Sequence, residues 1–205
     1  WSSGRIIGVG LDSYTHGAVL LDKDMRVIRP TIIWTDQRSA AESRELSERH
    51  GGEIFAIGGQ MPTPTWTLPQ LLWLKRNEPE NFSRITHISF VKDYVRYLLT
   101  GELAVDHIEA EGSLLYDVRQ RRWSPELCAM AGIDMGTLPE LREVLESGGK
   151  VTSQAAELCG IPAGTPVVMG ASDSAIEDYA AGAIEPGQGI IKLATAGNVN
   201  VMTGP

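Results

Sequence analysis

The sequence predicts an α/β fold, a mixed sheet with flanking helices, on three observations. Short apolar runs of strand type recur, at 5–10, 18–21, 86–91, 166–169 and 188–193. Between them lie stretches such as Leu68, Leu71, Leu72 and Trp73, whose apolar residues recur with the period of a helix packed by one face. Turn residues separate the two kinds of segment, at Asn77-Glu-Pro79, Gly101 and Gly148-Gly149. Strands alternating with helices, with hairpins added, make a mixed sheet.

In chain order, Arg5 to Gly10 reads as a strand entering the polar turn Asp12-Ser-Tyr-Thr-His-Gly17. Ala18 to Leu21 and Met25 to Arg29 read as a hairpin about Asp22-Lys-Asp24. A third strand, Thr31 to Trp34, ends in Thr35-Asp-Gln-Arg38 and passes into a polar helix that stops near His50-Gly-Gly52. A Gly/Pro/Thr-rich connection, Gly58 to Thr67, leads to the helix carrying Leu68 to Trp73. Thr86 to Val91 is a strand, Lys92 to Leu99 a helix ended by Gly101, and Ser124 to Ala131 a helix opened by Ser-Pro. From Leu138 to Cys159 short helices are expected around Gly148-Gly149. Pro166 to Met169 is a strand, Gly170 a tight turn, and Ser174 to Ala181 a helix. Gln188 to Leu193 and Val199 to Met202 are strands about Ala194-Thr-Ala-Gly-Asn198.

Composition narrows the function. The 205 residues are 42% hydrophobic with a net charge of -8, and the one basic run is Arg119-Gln-Arg-Arg122, which argues against nucleic acid as a partner. No run of about 18 apolar residues is present to span a membrane. Cys128 and Cys159 sit apart in apolar helical patterns, as reduced core thiols of a cytoplasmic protein would.

The chemistry is expected at Asp173, placed by its sequence at a strand-to-helix turn. In open α/β sheets ligands gather beyond the carboxyl ends of strands, and a helix N-terminus favours a carboxylate. A plain helix N-cap is the other reading of the same residue. A second polar cluster, Trp34, Asp36 and Arg38, closes the 31–34 strand. It offers an aromatic face with polar groups of fixed direction, or simply a capped helix start.

Several of these segments together resemble the FGGY family of carbohydrate kinases, most closely its xylulokinase-like members. The matching residues are His16-Gly17 with Val19-Leu-Leu-Asp22, Trp34-Thr-Asp-Gln-Arg38, Leu71-Leu-Trp-Leu-Lys75 with Asn77-Glu-Pro-Glu80, and Lys92-Asp-Tyr-Val-Arg-Tyr-Leu-Leu-Thr-Gly-Glu102. Gly112-Ser-Leu-Leu-Tyr-Asp-Val-Arg119 and Gly164-Thr-Pro-Val-Val-Met-Gly170, leading to Asp173, complete the series. The resemblance implies a ribonuclease H-like core of the actin and hexokinase type that closes on a sugar and ATP. It implies a sugar-binding domain over 1–164 and the start of an ATPase domain over 165–205. The segments holding most of the ATP and Mg2+ are expected before Trp1 and after Pro205, so the chain by itself is expected to be inactive. Asp-Met-Gly-Thr at 134–137 is read as a chance match to the family's phosphate motif.

The resemblance makes Asp173 the general base that accepts the sugar hydroxyl proton, and places His16, Trp34, Asp36 and Arg38 against the sugar. Thr195 and Gly197 fall on the turn that closes over the ATP phosphates. The implied substrate is a ketopentose such as xylulose. Another sugar, a polyol, an autoinducer-2-like molecule, or a catalytically silent sugar-binding module stay open. The partners expected are a small sugar, ATP and a second copy in a homodimer.

Overall fold

The computed structural model describes residues 6–193 and 197–203. The first segment forms β1 (Asp12–Ser13); of the expected strand, Arg5 lies outside the described residues and 6–10 make only an isolated parallel bridge from Val9 to Val167. β2 (Ala18–Leu21) is buried along its length. The turn after it forms as expected, with the Asp22 carboxylate accepting from the Asp24 and Arg26 N–H groups, both at 3.0 Å. The return arm meets β2 in a single bridge, Val27 opposite Leu21, with the Ile28 N–H donating to the Leu20 carbonyl at 2.9 Å. The main partner of β2 is β3 (His87–Phe90), antiparallel, with Ala18 opposite Phe90. Residues of β3 bury completely, as Ile88 and Phe90 do, so the distant strand offers more apolar contact than the exposed Val27 arm.

Two expected elements are corrected here. Thr31 to Trp34 form no strand: Ile32 is buried, but Ile33 and Trp34 on its C-terminal side are both exposed, so the alternation needed for a half-buried strand is missing. The helix after them, α1 (Ala40–Gly58), does not stop at Gly51-Gly52. Gly51 is buried against the Met61 side chain, Leu46 and Ile54 carry the apolar face across it, and the helix closes about two turns later at the left-handed Gly59.

α2 (Thr67–Asn77) buries Leu68, Leu71 and Leu74, and α3 (Pro79–Ser83) follows on Pro79. α4 (Val91–Thr100) continues from β3. β4 (Ala104–Asp106) and α5 (His107–Gly112) were not anticipated; the Asp106 carboxylate caps α5 by accepting from the Ile108 and Glu109 N–H groups. A small hairpin, β5 (Tyr116–Asp117) with β6 (Arg122–Trp123), precedes α6 (Pro125–Ala131), capped by Ser124. Asp134 caps a single 3₁₀ turn on the surface, consistent with a chance motif.

The expected short helices of 138–159 are corrected too. β7 (Glu140–Arg142) runs parallel to β4, β8 (Ser147–Lys150) follows, and only α7 (Ser153–Cys159) is helical. Gly148 packs where a side chain would strike Arg96, which suits a strand crossing over α4. β9 (Pro166–Val168) pairs antiparallel with β8, and β10 (Ala171–Ser172) pairs parallel with β1. α8 (Asp173–Ala180) leads to the antiparallel pair β11 (Gly189–Lys192) and β12 (Asn198–Val201). The described strands thus pair two by two, in both directions.

The main core joins Leu20, Ile54, Leu68, Leu71, Ile88, Phe90, Leu114 and Leu127. Each such side chain contributes about 1.5–3 kcal/mol on burial. A smaller core, Val151, Ala155 and Val167, packs Val9 and Leu11. Cys128 lies in the main core, while Cys159 is exposed, which corrects the reading of both as core thiols. Among the described residues no helix is long and apolar enough to cross a membrane.

Candidate functional site

Two neighbouring parallel strands build the site. The register sets Asp12 beside Ala171 and Ser13 beside Ser172, so both carboxyl ends open on one edge. The chain leaving β1 delivers Tyr14, Thr15 and His16 there, and the chain leaving β10 delivers Asp173. Between β9 and β10 the backbone turns at Gly170 with φ 75°, and a Cβ there would lie 2.0 Å from the Leu11 carbonyl oxygen. Only glycine allows the strands to approach so closely.

Asp173 is the first residue of α8, but it is not the cap. Ser172 fills that role, its hydroxyl accepting from the Ala175 N–H at 3.3 Å. The Asp173 carboxylate is half-buried and uses one oxygen, Oδ1, to accept from the Ser174 N–H at 2.7 Å. Among the described residues its Oδ2 takes no hydrogen bond. The helix N-terminus favours its charge.

His16 is held from three sides. Its backbone is left-handed, φ 76°, with the N–H donating to Glu109 Oε1 at 3.0 Å and the carbonyl accepting from Thr67 Oγ1 at 2.9 Å. Nδ1 lies 2.5 Å from the Gly112 carbonyl, which can only accept, so Nδ1 carries the proton. Nε2 is then the acceptor for the Thr15 hydroxyl at 2.6 Å. Burial pushes the imidazole pKa down to about 4, against a raising contribution from the Gly112 carbonyl and a further one from the Asp173 charge. The ring is neutral at pH 7, and Asp173 is near enough for its charge to be felt. Trp66 meets the ring edge-on, centroids 4.3 Å apart.

Asp36 and Arg38 form a separate pair, with Trp34 two residues before it in the chain. Asp36 binds Arg38 through both oxygens, with Nε 3.0 Å from each and Nη2 2.8 Å from Oδ2, and also accepts the Arg38 N–H at 2.9 Å. Each charge steadies the other: hydrogen bonds from Arg38 hold the Asp36 carboxyl below its ordinary range, and those to Asp36 raise the guanidinium. The guanidinium also lies 5.0 Å over the Trp73 ring. Asp36 is not the helix cap, since Ser39 occupies that position. Trp34 is 46% exposed. Among the described residues no hydrogen bond joins this group to His16 or Asp173. The link is the 59–66 connection, which accepts from Ser39 and Gln70 at Pro64 and ends in Trp66 against His16.

Thr195 lies outside the described residues. Gly197 is described and exposed, in the turn entering β12. Among the described residues no three His, Cys, Asp or Glu side chains are placed to hold a metal ion. An open apolar cleft of about 600 Å³ lies beside the site, between Leu11, Val144, Leu145, Val168, Ile176 and Tyr179; neither His16 nor Asp173 lines it.

Sequence reasoning gave no role to the charged residues beneath the site. Lys92, Asp93, Arg96, Asp106 and Glu109 are each 1% exposed or less. Lys92 Nζ donates to Asp93 Oδ1 at 2.8 Å and to Asp106 Oδ2. Burial alone would depress the Lys92 ammonium, but Asp93 and Asp106 outweigh it and its pKa ends above the ordinary value. Arg96 Nη1 donates to Asp93 Oδ1 at 2.5 Å and to the Met169 carbonyl at 3.3 Å, just before the Gly170 turn. The signal available was Asp106-x-x-Glu109, a helix-start pattern in a segment that was assigned no element.

Comparison with known proteins identifies the family and the fold. The model of the FGGY family of carbohydrate kinases, N-terminal domain, matches residues 1–178. The xylulose kinase of Klebsiella pneumoniae is 35% identical over 193 residues, which are 94% of this chain and 40% of that protein. An autoinducer-2 kinase of Escherichia coli is 36% identical over 191 residues, covering 89% of this chain and 35% of its own length. The crystal structure of xylulose kinase from Rhodospirillum rubrum superposes with a TM-score of 0.92 at 32% identity, covering 97% of this chain and 42% of that one. The chain spans about 40% of the length of the xylulose kinases it matches. Its fold is therefore that of sugar kinases with the actin and hexokinase type of core.

Proposed function

Because the chain belongs to the FGGY family of carbohydrate kinases, we propose that its protein transfers the γ-phosphate of ATP to a hydroxyl of a small sugar, with xylulose the first choice. The observation that carries this reading is the pairing of β1 with β10, which brings the His16 turn and Asp173 to one edge. A sugar hydroxyl is a weak acid and a poor nucleophile, so phosphoryl transfer needs a base that takes its proton and holds it in line. Among the described residues Asp173 Oδ2 takes no hydrogen bond, so it can accept that proton. Asp173 needs no capping duty, because Ser172 performs it.

In this reading a neutral His16 orients the sugar. Its Nε2 lone pair is held by Thr15, so a sugar hydroxyl would take the place of the Thr15 hydroxyl as donor. Trp34, Asp36 and Arg38 would form an outer wall, reached through the 59–66 connection. ATP would supply the phosphoryl group, with Mg2+ beside its phosphates; the family resemblance assigns Thr195 and Gly197 of this chain to the phosphate end.

A second substrate class is favoured by one observation: identity to the Escherichia coli autoinducer-2 kinase, 36%, equals that to the Klebsiella pneumoniae xylulose kinase, 35%, within a point. ADP formation by the full-length protein, measured across ketopentoses, hexuloses, polyols and phosphate-free autoinducer-2, tests both readings. The expected result is the highest kcat/KM with xylulose. Preference for autoinducer-2 would select the second reading, and no sugar-dependent ADP would overturn both.

A further inference from the structure

Beneath the His16 turn lies one carboxyl group that the reaction leaves without a task. Glu109 is 1% exposed, and its Oε2 has no hydrogen-bond partner among the described residues. A buried, unpaired carboxyl oxygen is costly, so its retention in the core calls for a reason. Its other oxygen provides one, because Oε1 accepts the His16 N–H at 3.0 Å across 93 residues of sequence.

That N–H belongs to a residue whose backbone is left-handed at φ 76°, a conformation that a non-glycine residue keeps only where its surroundings hold it. Three contacts hold it: Glu109 on the N–H, Thr67 on the carbonyl, and Gly112 on Nδ1. Two of the three come from α5, a helix whose start is fixed by the Asp106 cap and thereby by Lys92. The approach is close: a Cβ on Gly112 would sit 2.8 Å from His16 Nδ1. The groups facing Glu109 are Tyr14 and His16 from the turn after β1, Lys92 and Asp93 from α4, and Asp106 from the end of β4.

We propose that Glu109 is a positioning residue for the sugar site: without touching the sugar, it locks the strained His16 backbone and so sets where the imidazole points. This rests on the reading above that His16 meets the sugar. Burial raises the Glu109 carboxyl pKa to about 8, with Lys92 opposing, so near pH 7 the group is largely protonated and a glutamine can take its place.

The test compares Glu109→Met, which keeps the volume but removes the acceptor, with Glu109→Gln, which keeps both. Full-length protein carrying ¹⁵N-histidine reports the His16 amide directly, and steady-state kinetics with xylulose and ATP report the site. Glu109→Met is expected to displace the His16 amide resonance and to raise the xylulose KM roughly tenfold, as loss of one buried hydrogen bond does, with the ATP KM unchanged. Glu109→Gln should leave both near the parent values. An unmoved His16 amide in Glu109→Met would overturn the proposal whatever the kinetics. A displaced amide with an unchanged xylulose KM would instead overturn His16 as a sugar contact, and with it the role assigned to Glu109. If Glu109→Met fails to fold, Thr67→Val, which removes the hydrogen bond on the other side of His16, serves as the second probe of the same lock. It should raise the xylulose KM in the same way, and no change there would count against the proposal.

Discussion

The strand-end edge and the 34–38 loop both carry polar groups on turns, yet they are held by different means. His16 and Asp173 stand over a layer of fully buried charges, in which Glu109 grips the His16 backbone and Arg96 grips the Met169 carbonyl before the Gly170 turn. Asp36 and Arg38 hold only each other and a Trp73 face, with side chains 23% and 36% exposed. In the first region a disturbance travels through desolvated contacts. In the second it is absorbed by water. Interaction strength follows the same division, since a charge pair near water gains little and a buried charge without its partner costs much.

The sharpest way to break the comparison is at Lys92. Lys92→Ala leaves Asp106, and half of the Asp93 pairing, as buried carboxylates without their cation. The expected loss is about 3–5 kcal/mol of stability, measured as a shift in urea unfolding midpoint. A loss below about 1 kcal/mol, the range of exposed pairs, would show that this layer is no stiffer than the loop.

Asp173→Asn separates chemistry from scaffolding. Asparagine keeps the volume, and Ser172 keeps the cap, so unfolding should move little. ADP production by the full-length protein should fall by roughly a hundredfold or more if the carboxylate accepts the hydroxyl proton. Near-normal turnover would remove Asp173 as the base.

The pH dependence of stability sharpens the same contrast with a sign for each group. Glu109 has a folded pKa of about 8 against an ordinary 4.5. The unfolded carboxyl loses its proton first as pH rises, so the stability this group contributes is complete below about 4.5 and is lost as pH climbs through about 8. His16, lowered from 6.5 to about 4, works in the other direction: its contribution is present above 6.5 and is lost as pH falls through about 4. Glu109→Gln removes the first dependence. The variant should gain on the parent protein between pH 5 and 8, with a slope of at most ~1.4 kcal/mol per pH unit, and the gain should level off above 8. A difference that stays constant with pH would place Glu109 in contact with water.

Local signals in the sequence located the helices well where capping chemistry was explicit. Ser124-Pro125 opened α6, Gly101 closed α4, and the 166–170 run with its glycine turn produced the edge at Asp173. What stayed illegible depends on distant partners. Gly51-Gly52 looks like a helix end until Met61 packs over it, and Thr31 to Trp34 look like a strand until the folded chain leaves Ile33 and Trp34 side by side in water. The buried charges escaped notice for a similar reason. Lys92 and Asp93 open an expected helix and Glu109 lies in a segment with no expected element, so only the folded chain shows all three packed under the site.

The smallest expected effect is at Arg38. Its guanidinium is committed to the two Asp36 oxygens and stacked on Trp73, so it contributes a shaped, partly exposed wall rather than a buried anchor. Arg38→Ala should cost under about 1 kcal/mol of stability, as exposed pairs do. If the loop faces the sugar as proposed, the xylulose KM should rise by a few-fold while the ATP KM stays unchanged, because the loop reaches His16 through Pro64 and Trp66. The two constants must be measured on the same preparation, since Asp36, once released, adds an unpaired negative charge that could act on either ligand. An effect on the ATP KM alone would put the loop on the nucleotide side. An effect on neither would reduce Trp34, Asp36 and Arg38 to a surface turn, and the strand-end edge would then be the whole of the sugar site in this chain.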